Sequence, residues 1–264
     1  MTYRRLARAL LRRAWAQQGR QAVALPAAVA AAIVVLLLVV PRLIPGALHG
    51  DLTPPLSGPV RVTSAHPGLT DAAMATALLT APELLALAAS LMSLTVSRSI
   101  LGPDVSGGMA EGLLATSLRP RTIFLGYVTA TYALSLLAWA VLAGVFLGLA
   151  TAAVALDGSS VAMTGEYGAT ALLIPLASML WATSLLTFVA FLHPAWLKVT
   201  AGLNGGPVRL AALAPALAAV ITLTARPGSY RLFSWSYVAG CAGASLVLLA
   251  ALAALFAGER LLDS

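Results

Sequence analysis

Apolar residues run through the chain in long unbroken blocks, with none of the alternation that marks a half-buried strand. A helix needs about 20 mostly apolar residues to cross a hydrocarbon core, and it leaves no backbone group unpaired there. The blocks predict an all-α membrane protein with six transmembrane helices, at about 21–40, 81–98, 122–156, 169–192, 208–225 and 233–257. Pro41 closes the first, and the proline-rich residues 41–80 read as an outer loop. Thr80-Ala-Pro-Glu83 sets a threonine three residues before a glutamate with proline just inside, a helix-start signature for the second span. The alternative is one longer helix from Asp71, kinked at Pro82. Asp157-Gly-Ser-Ser, His193-Pro194, Asn204-Gly-Gly-Pro207 and Arg226-Pro-Gly-Ser supply the later breaks.

The first residues carry a pattern of their own. Tyr3, Leu6, Leu10 and Ala14 recur at helical spacing, while Arg4, Arg8 and Arg12 share another face. Residues 1–19 therefore read as an interfacial helix with its arginines against anionic lipid. A solvated basic lead that only sets topology is the plainer alternative.

Composition narrows the class. Of 264 residues, 60% are hydrophobic and 9% charged, with a mean hydropathy of +0.92. Soluble domains carry about a quarter charged residues, so a soluble enzyme, a disordered chain and a secreted disulfide scaffold are excluded. The single cysteine, Cys241, has no intrachain partner and reads as a packing residue. The net charge of +7 has a membrane explanation. With the N-terminus inside, only Arg42, Arg61, Arg226 and Arg231 fall outside, against twelve basic residues on cytoplasmic segments. That positive-inside bias puts both termini in the cytoplasm and needs no nucleic acid. Alanine- and arginine-rich usage fits a bacterial cytoplasmic (inner) membrane.

The segment between the second and third spans is the informative one. It reads Ser99-Ile-Leu-Gly-Pro-Asp104-Val-Ser-Gly-Gly108-Met-Ala-Glu111-Gly-Leu-Leu-Ala-Thr116-Ser-Leu-Arg119-Pro-Arg121. Asp104 or Ser106 can cap a short helix, Met109, Leu113 and Leu114 give it an apolar face, and Arg119-Pro120 turns into the third span. An amphipathic cytoplasmic helix over about 104–118 is expected, joined to two spans that it can move together.

From Gly108 to Arg121, and on through Ile123 to Gly126, this segment resembles the signature of type-2 ATP-binding-cassette (ABC) exporter permeases. Glu111, Leu113, Leu114, Thr116 and Arg121 fall on matching positions. Met109 and Ser117 stand where the family has threonine and proline, and its charged stretch before the glycine is thinned to Asp104. The order of interfacial helix, six spans, long outer loop and cytoplasmic helix is also similar, so the resemblance covers nearly the whole chain.

The resemblance implies a transmembrane subunit of an ATP-driven exporter, moving an amphipathic or hydrophobic drug, lipid or peptide out of the cytoplasm by alternating access. It implies a coupling helix seated on a separate ABC ATPase, present in two copies that hold ATP and Mg, and a second permease, identical or homologous, in the bilayer. Asp104, Ser106, Met109, Glu111, Leu113, Leu114, Thr116, Arg119 and Arg121 would contact that ATPase. No Gly-x-x-x-x-Gly-Lys-Ser/Thr loop occurs and the only lysine, Lys198, follows Ala-Trp-Leu, so no cofactor or ATPase site is expected on this chain. The alternatives are a non-transport scaffold or sensor of the same fold, and a secondary carrier, which usually shows midplane ionisable groups and internal repeats.

Other chemistry is sparse. His49, His66 and His193 lack the spacing of a zinc site, so no metal is expected; His193 reads as a helix end. Glu83 is either a cap at the outer interface, as the start signature favours, or an intramembrane charge with a function. Ser90, Ser93 and Ser97 share a face of the second span, with Thr131 and Ser135 on the third and Thr183 and Thr187 on the fourth. They would line a mildly polar pathway or bond helix to helix. Gly144 with Gly148, and Gly240 with Ala244, are small-xxx-small pairs that predict close helix packing. Trp139, Trp181, Trp196, Trp235 and Tyr237 read mostly as anchors near span ends.

Overall fold

The structure, a computed structural model, describes residues 3–39, 60–63, 69–106, 112, 115, 119–156, 158–193, 206–225 and 230–257. Among them are six α-helices and a two-stranded ribbon: α1 (Tyr3–Val34) with a π-helical turn after it (Val35–Val39), β1 (Val60–Thr63), α2 (Leu69–Ser106), α3 (Pro120–Leu156), β2 (Ser160–Met163), α4 (Gly165–Leu192), α5 (Pro207–Ala225) and α6 (Tyr230–Ala257). Five helical stretches are long and apolar enough to cross a membrane: Tyr3–Leu37, Met74–Asp104, Pro120–Leu156, Gly165–Leu192 and Tyr230–Leu255. The fifth predicted span is a helix, α5, but its apolar stretch, Pro207–Thr222, is shorter.

Local chemistry sets the boundaries. Pro120 and Pro207 begin their helices, where a missing N–H costs nothing; the carbonyl of Arg119 accepts from Thr122 at 2.8 Å and that of Gly206 from Arg209 at 2.9 Å. α3 ends where Gly158 takes a φ of +65°, with Gly158 N–H bonded to Ala155 O and Ser159 N–H to Val154 O. This left-handed turn suits glycine and satisfies the last carbonyls. Thr164 caps α4 by accepting from Tyr167 N–H at 3.2 Å, and Glu166 sits in the first turn, where negative charge is favoured. His193 closes α4 as expected, its N–H reaching Val189 O at 2.8 Å.

Two expectations change. No break separates the N-terminal helix from the first span: α1 is continuous, and its stripe of Leu6, Leu10 and Ala14 is buried inside the bundle while Arg4, Arg5, Arg8 and Arg12 stay exposed. Within residues 41–80, the structure places β1 and the first turns of α2. The long-helix alternative holds, because α2 passes Pro82 and Pro103 without a break. α1, α4 and α5 likewise run through Pro26, Pro175 and Pro215.

The bundle is built from two extensive helix pairs. α1 lies on α3 and α2 on α4; α2 also touches α1, α3 and α5, and α6 packs on α4. Both helices of the first pair bury rows of residues four apart, Ala22, Pro26, Ala30 and Val34 on α1, and Ala130, Leu134, Ala138 and Leu142 on α3. Such i±4 rows are the ridges that let helices interlock. One core cluster joins Leu6, Leu10, Ile100, Ile123, Val189 and Val208; another, at the opposite end, joins Val34, Val60, Leu78, Phe146, Tyr167 and Tyr230.

The ribbon caps that second end. β1 and β2 are antiparallel, pairing Val60 with Met163 and Val62 with Val161, which puts these apolar residues on one face. Arg61, Thr63, Ser160 and Ala162 take the other face, and the hydroxyls of Thr63 and Ser160 bond at 2.7 Å.

Candidate functional site

Three places stand out: an ionic anchor, a hydroxyl node and an apolar cleft. The anchor is Asp104, expected to open the coupling helix over about 104–118 but found in the last turn of α2, which runs on to Ser106. Asp104 is 3% exposed. Its Oδ1 accepts from Arg13 Nη2 of α1 at 2.7 Å, and its Oδ2 from the Tyr127 hydroxyl of α3 at 2.8 Å. Each oxygen of one carboxylate thus holds a different helix, and charge-assisted bonds of this kind are the strong ones. Beside it, a Cβ on Gly126 would lie 3.2–3.3 Å from Leu6 and Leu10, so glycine is what lets α1 approach α3 here. The Tyr3 hydroxyl bonds Thr129. Phe191 of α4 stands edge-on to Phe124 and Tyr127, with ring centroids 5.5 and 6.0 Å apart.

The node lies midway along α2. Ser93 Oγ bonds the Thr183 hydroxyl of α4, with Met179 O at 3.3 Å and Ser135 Oγ of α3 at 3.5 Å. Three of the seven hydroxyl positions singled out in the sequence therefore meet. Thr187 instead donates to Thr183 O in its own helix at 2.7 Å. Ser90, Ser97 and Thr131 are fully buried, with no hydrogen-bond partner among the described residues.

The cleft opens at the ribbon end, between α3 and α4, with α2 behind it. Its volume is about 570 Å³. Leu78 and Pro82 form the back, Trp139 to Ala155 of α3 and Tyr167 to Pro175 of α4 the sides, and Val161 and Met163 of β2 the roof. Tyr167 donates to Leu78 O and so ties α4 to α2. Trp139 Nε1 is buried and has no partner.

The chain matches no family model, no curated protein and no solved structure. The site must therefore be read from its own residues.

Of the expected ATPase contacts, Asp104 and Ser106 lie at the end of α2, and exposed Arg119 and Arg121 flank the start of α3. Met109, Glu111, Leu113, Leu114 and Thr116 lie outside the described residues, as do His49, His66, Trp196 and Lys198. Glu83 is not a cap: it sits inside continuous α2, 4% exposed, with Oε2 unpartnered, and within electrostatic reach of Tyr167 and Tyr230. Among the described residues, a Cβ at Gly144, Gly148 or Gly240 would meet nothing within 4 Å; Ala244 is half-buried. Trp139 lies mid-helix rather than at an end, and Tyr237 is buried, its hydroxyl 2.6 Å from Ser178. Trp235 is exposed and donates to Glu166, which also pairs with Arg231. Cys241 is buried beside Tyr237 in the α2–α4–α5–α6 core.

The sequence reading missed Arg13, Gly126, Tyr127 and Tyr167 as contact makers. One signal was available for the first and third. A carboxylate at the end of an apolar helix needs a donor if it is buried, and an arginine with a tyrosine near the same predicted membrane edge were candidates.

Proposed function

We propose that this chain is the membrane subunit of an ATP-driven exporter of the type-2 ABC permease class. In this reading α5 is the sixth crossing; its 19 residues span about 28 Å, close to the roughly 30 Å of a hydrocarbon core. Both termini face the cytoplasm, and the arginine face of α1 meets the inner headgroups. The observation that carries the reading is the Asp104 anchor. It binds α1, α2 and α3 together where the Gly108–Arg121 segment leaves α2. A push on that segment from an ATPase would then move three helices as one, instead of bending the end of a single helix. The cargo is an amphipathic or hydrophobic molecule, in keeping with a core whose described polar groups are mostly hydroxyls.

The test is copurification of this chain with an ABC ATPase and reconstitution of the two together. Glu111→Ala and Leu114→Ala should leave both subunits assembled and hydrolysis measurable, while transport per ATP falls at least about tenfold, or about 1.4 kcal/mol of coupling. Transport by the purified chain alone would refute the proposal. Glu83 favours a second reading. A buried carboxylate inside a helix long enough to cross a membrane suits a proton-driven carrier. That reading requires transport in vesicles without ATP, driven by a pH gradient and lost in Glu83→Gln.

A further inference from the structure

The cleft under the ribbon has a definite shape. It follows α3 from Trp139 to Ala155, sixteen residue steps or about 24 Å at the helical rise. Spread over that length, the roughly 570 Å³ that the centre of a water molecule can reach averages about 24 Å², which with a water radius of ~1.4 Å added is a bore about 8 Å wide, narrower than a helix 10–12 Å across. A second copy of this chain therefore cannot insert a helix here. A thin, flexible chain can enter.

The wall says what kind of chain. Among the described residues no charged side chain lines it. Thr151 donates its hydroxyl to Leu147 O at 2.8 Å, and Tyr167 donates to Leu78 O. The underside of the ribbon presents Val161 and Met163, with the polar face of the ribbon turned away. The complement to such a surface is uncharged hydrocarbon. The rim carries exposed Leu147 and Leu172, each on a helix long enough to cross a membrane, so the opening faces the acyl phase. An unfilled slot would forfeit dispersion contacts along its whole wall.

We propose that this cleft is a binding site for one acyl chain of a bilayer lipid, which enters sideways between Leu147 and Leu172. The site does not depend on the exporter reading, because no ATPase is needed to fill it.

The experiment uses the full chain in phosphatidylcholine vesicles carrying a phospholipid with a diazirine midway along one acyl chain. After irradiation, the labelled peptides are mapped by mass spectrometry. Exposed Leu246 and Val247 of α6 serve as the reference for lipid that merely surrounds the protein. Labelling of 139–155 and 168–175 should exceed that reference by about fivefold, a preference of about 1 kcal/mol. A side chain at Gly168 would grow into open space, since its Cβ meets nothing within 4 Å. Gly168→Leu should therefore remove the excess label and leave the α6 label unchanged. Ala171→Phe fills the same slot from the next turn and guards against a folding defect in the first variant. Even labelling over α3, α4 and α6, or excess label that survives both substitutions, would overturn the proposal.

Discussion

The two ends of the bundle are held together by opposite means. At the Asp104 end, α1, α2 and α3 converge on a single carboxylate, Gly126 lets leucines come within van der Waals range of the α3 backbone, and aromatic edges from α3 and α4 fill the rest. At the ribbon end, α3 and α4 are joined through β2 yet stand apart around about 570 Å³ of apolar space. There the tie is neutral, the Tyr167 hydroxyl on a backbone carbonyl. One end is solid and ionic, the other roofed and open. A membrane bundle cannot rely on the hydrophobic effect to press its helices together, because lipid is as apolar as the core. Helices close up where side chains bond across them and fit closely, and a cleft stays open where the facing side chains do not reach one another.

Removing the anchor should have the largest effect. Asp104→Ala leaves the Arg13 guanidinium and the Tyr127 hydroxyl without their carboxylate. Breaking a buried pair costs about 3–5 kcal/mol. The Arg13 side chain is 35% exposed and regains some water, so about 2–3 kcal/mol is expected. Thermal unfolding in detergent measures it. A loss below about 0.5 kcal/mol, the range of ordinary surface substitutions, would erase the contrast between the ends.

The same substitution made at both ends sharpens that contrast. Gly126→Leu drives a side chain into Leu6 and Leu10 and should cost about 1–3 kcal/mol as overpacking. Gly168→Leu points into the cleft and should stay within about 0.5 kcal/mol of the parent. Equal losses at the two positions would mean that the cleft is closed in the working protein.

How far these ends were legible in the sequence follows from the same physics. Helix boundaries were readable wherever a backbone rule fixes them. Asp157-Gly158 ended α3, His193-Pro194 ended α4, and Pro207 opened α5. Thr80-Ala-Pro-Glu83 misled for a physical reason: Pro82 has no N–H to give to Leu78 O, but the Tyr167 hydroxyl of α4 donates to that carbonyl instead, so the helix runs on through the proline. The ribbon was invisible, because two four-residue strands, only the first of them in the proline-rich stretch, leave too little alternation to count. Glycine spacing did not show which glycine meets a neighbouring helix of this chain. A Cβ on Gly144 or Gly148 would meet none of the described residues within 4 Å, while lone Gly126 makes the closest helix approach among the described glycines outside its own helix. Which glycine meets a neighbour depends on register between helices, and a single sequence does not encode that locally. Asp104 stood out in the sequence as an acid at the end of an apolar run, but its partners, 91 residues before and 23 after it, did not.

A smaller effect separates the ends in their neutral ties. Tyr167→Phe keeps the ring beside Tyr230, at a centroid distance of 5.7 Å, and removes only the bond to Leu78 O. A net loss of about 1 kcal/mol is expected in the same unfolding measurement. A loss as large as that of Asp104→Ala would show that the ribbon end, too, hangs on one bond.

The smallest expected change lies between the ends, at Ser93, and it decides what the hydroxyls are for. Ser93 meets Thr183 and Ser135 from two other helices, all three nearly inaccessible, and none of them lines the cleft. If the node only bonds helices, Ser93→Ala should cost about 0.6 kcal/mol, the average for interhelical bonds in membranes. Thr183→Val should then add little to it, since both substitutions delete the same bond and their effects cannot sum. If instead the hydroxyls line a path for cargo, stability should be untouched while transport by the reconstituted complex falls for polar cargo more than for apolar cargo. A double-substitution cycle read in both assays distinguishes the two: coupling in stability alone assigns the node to packing, and coupling in transport alone assigns it to the pathway.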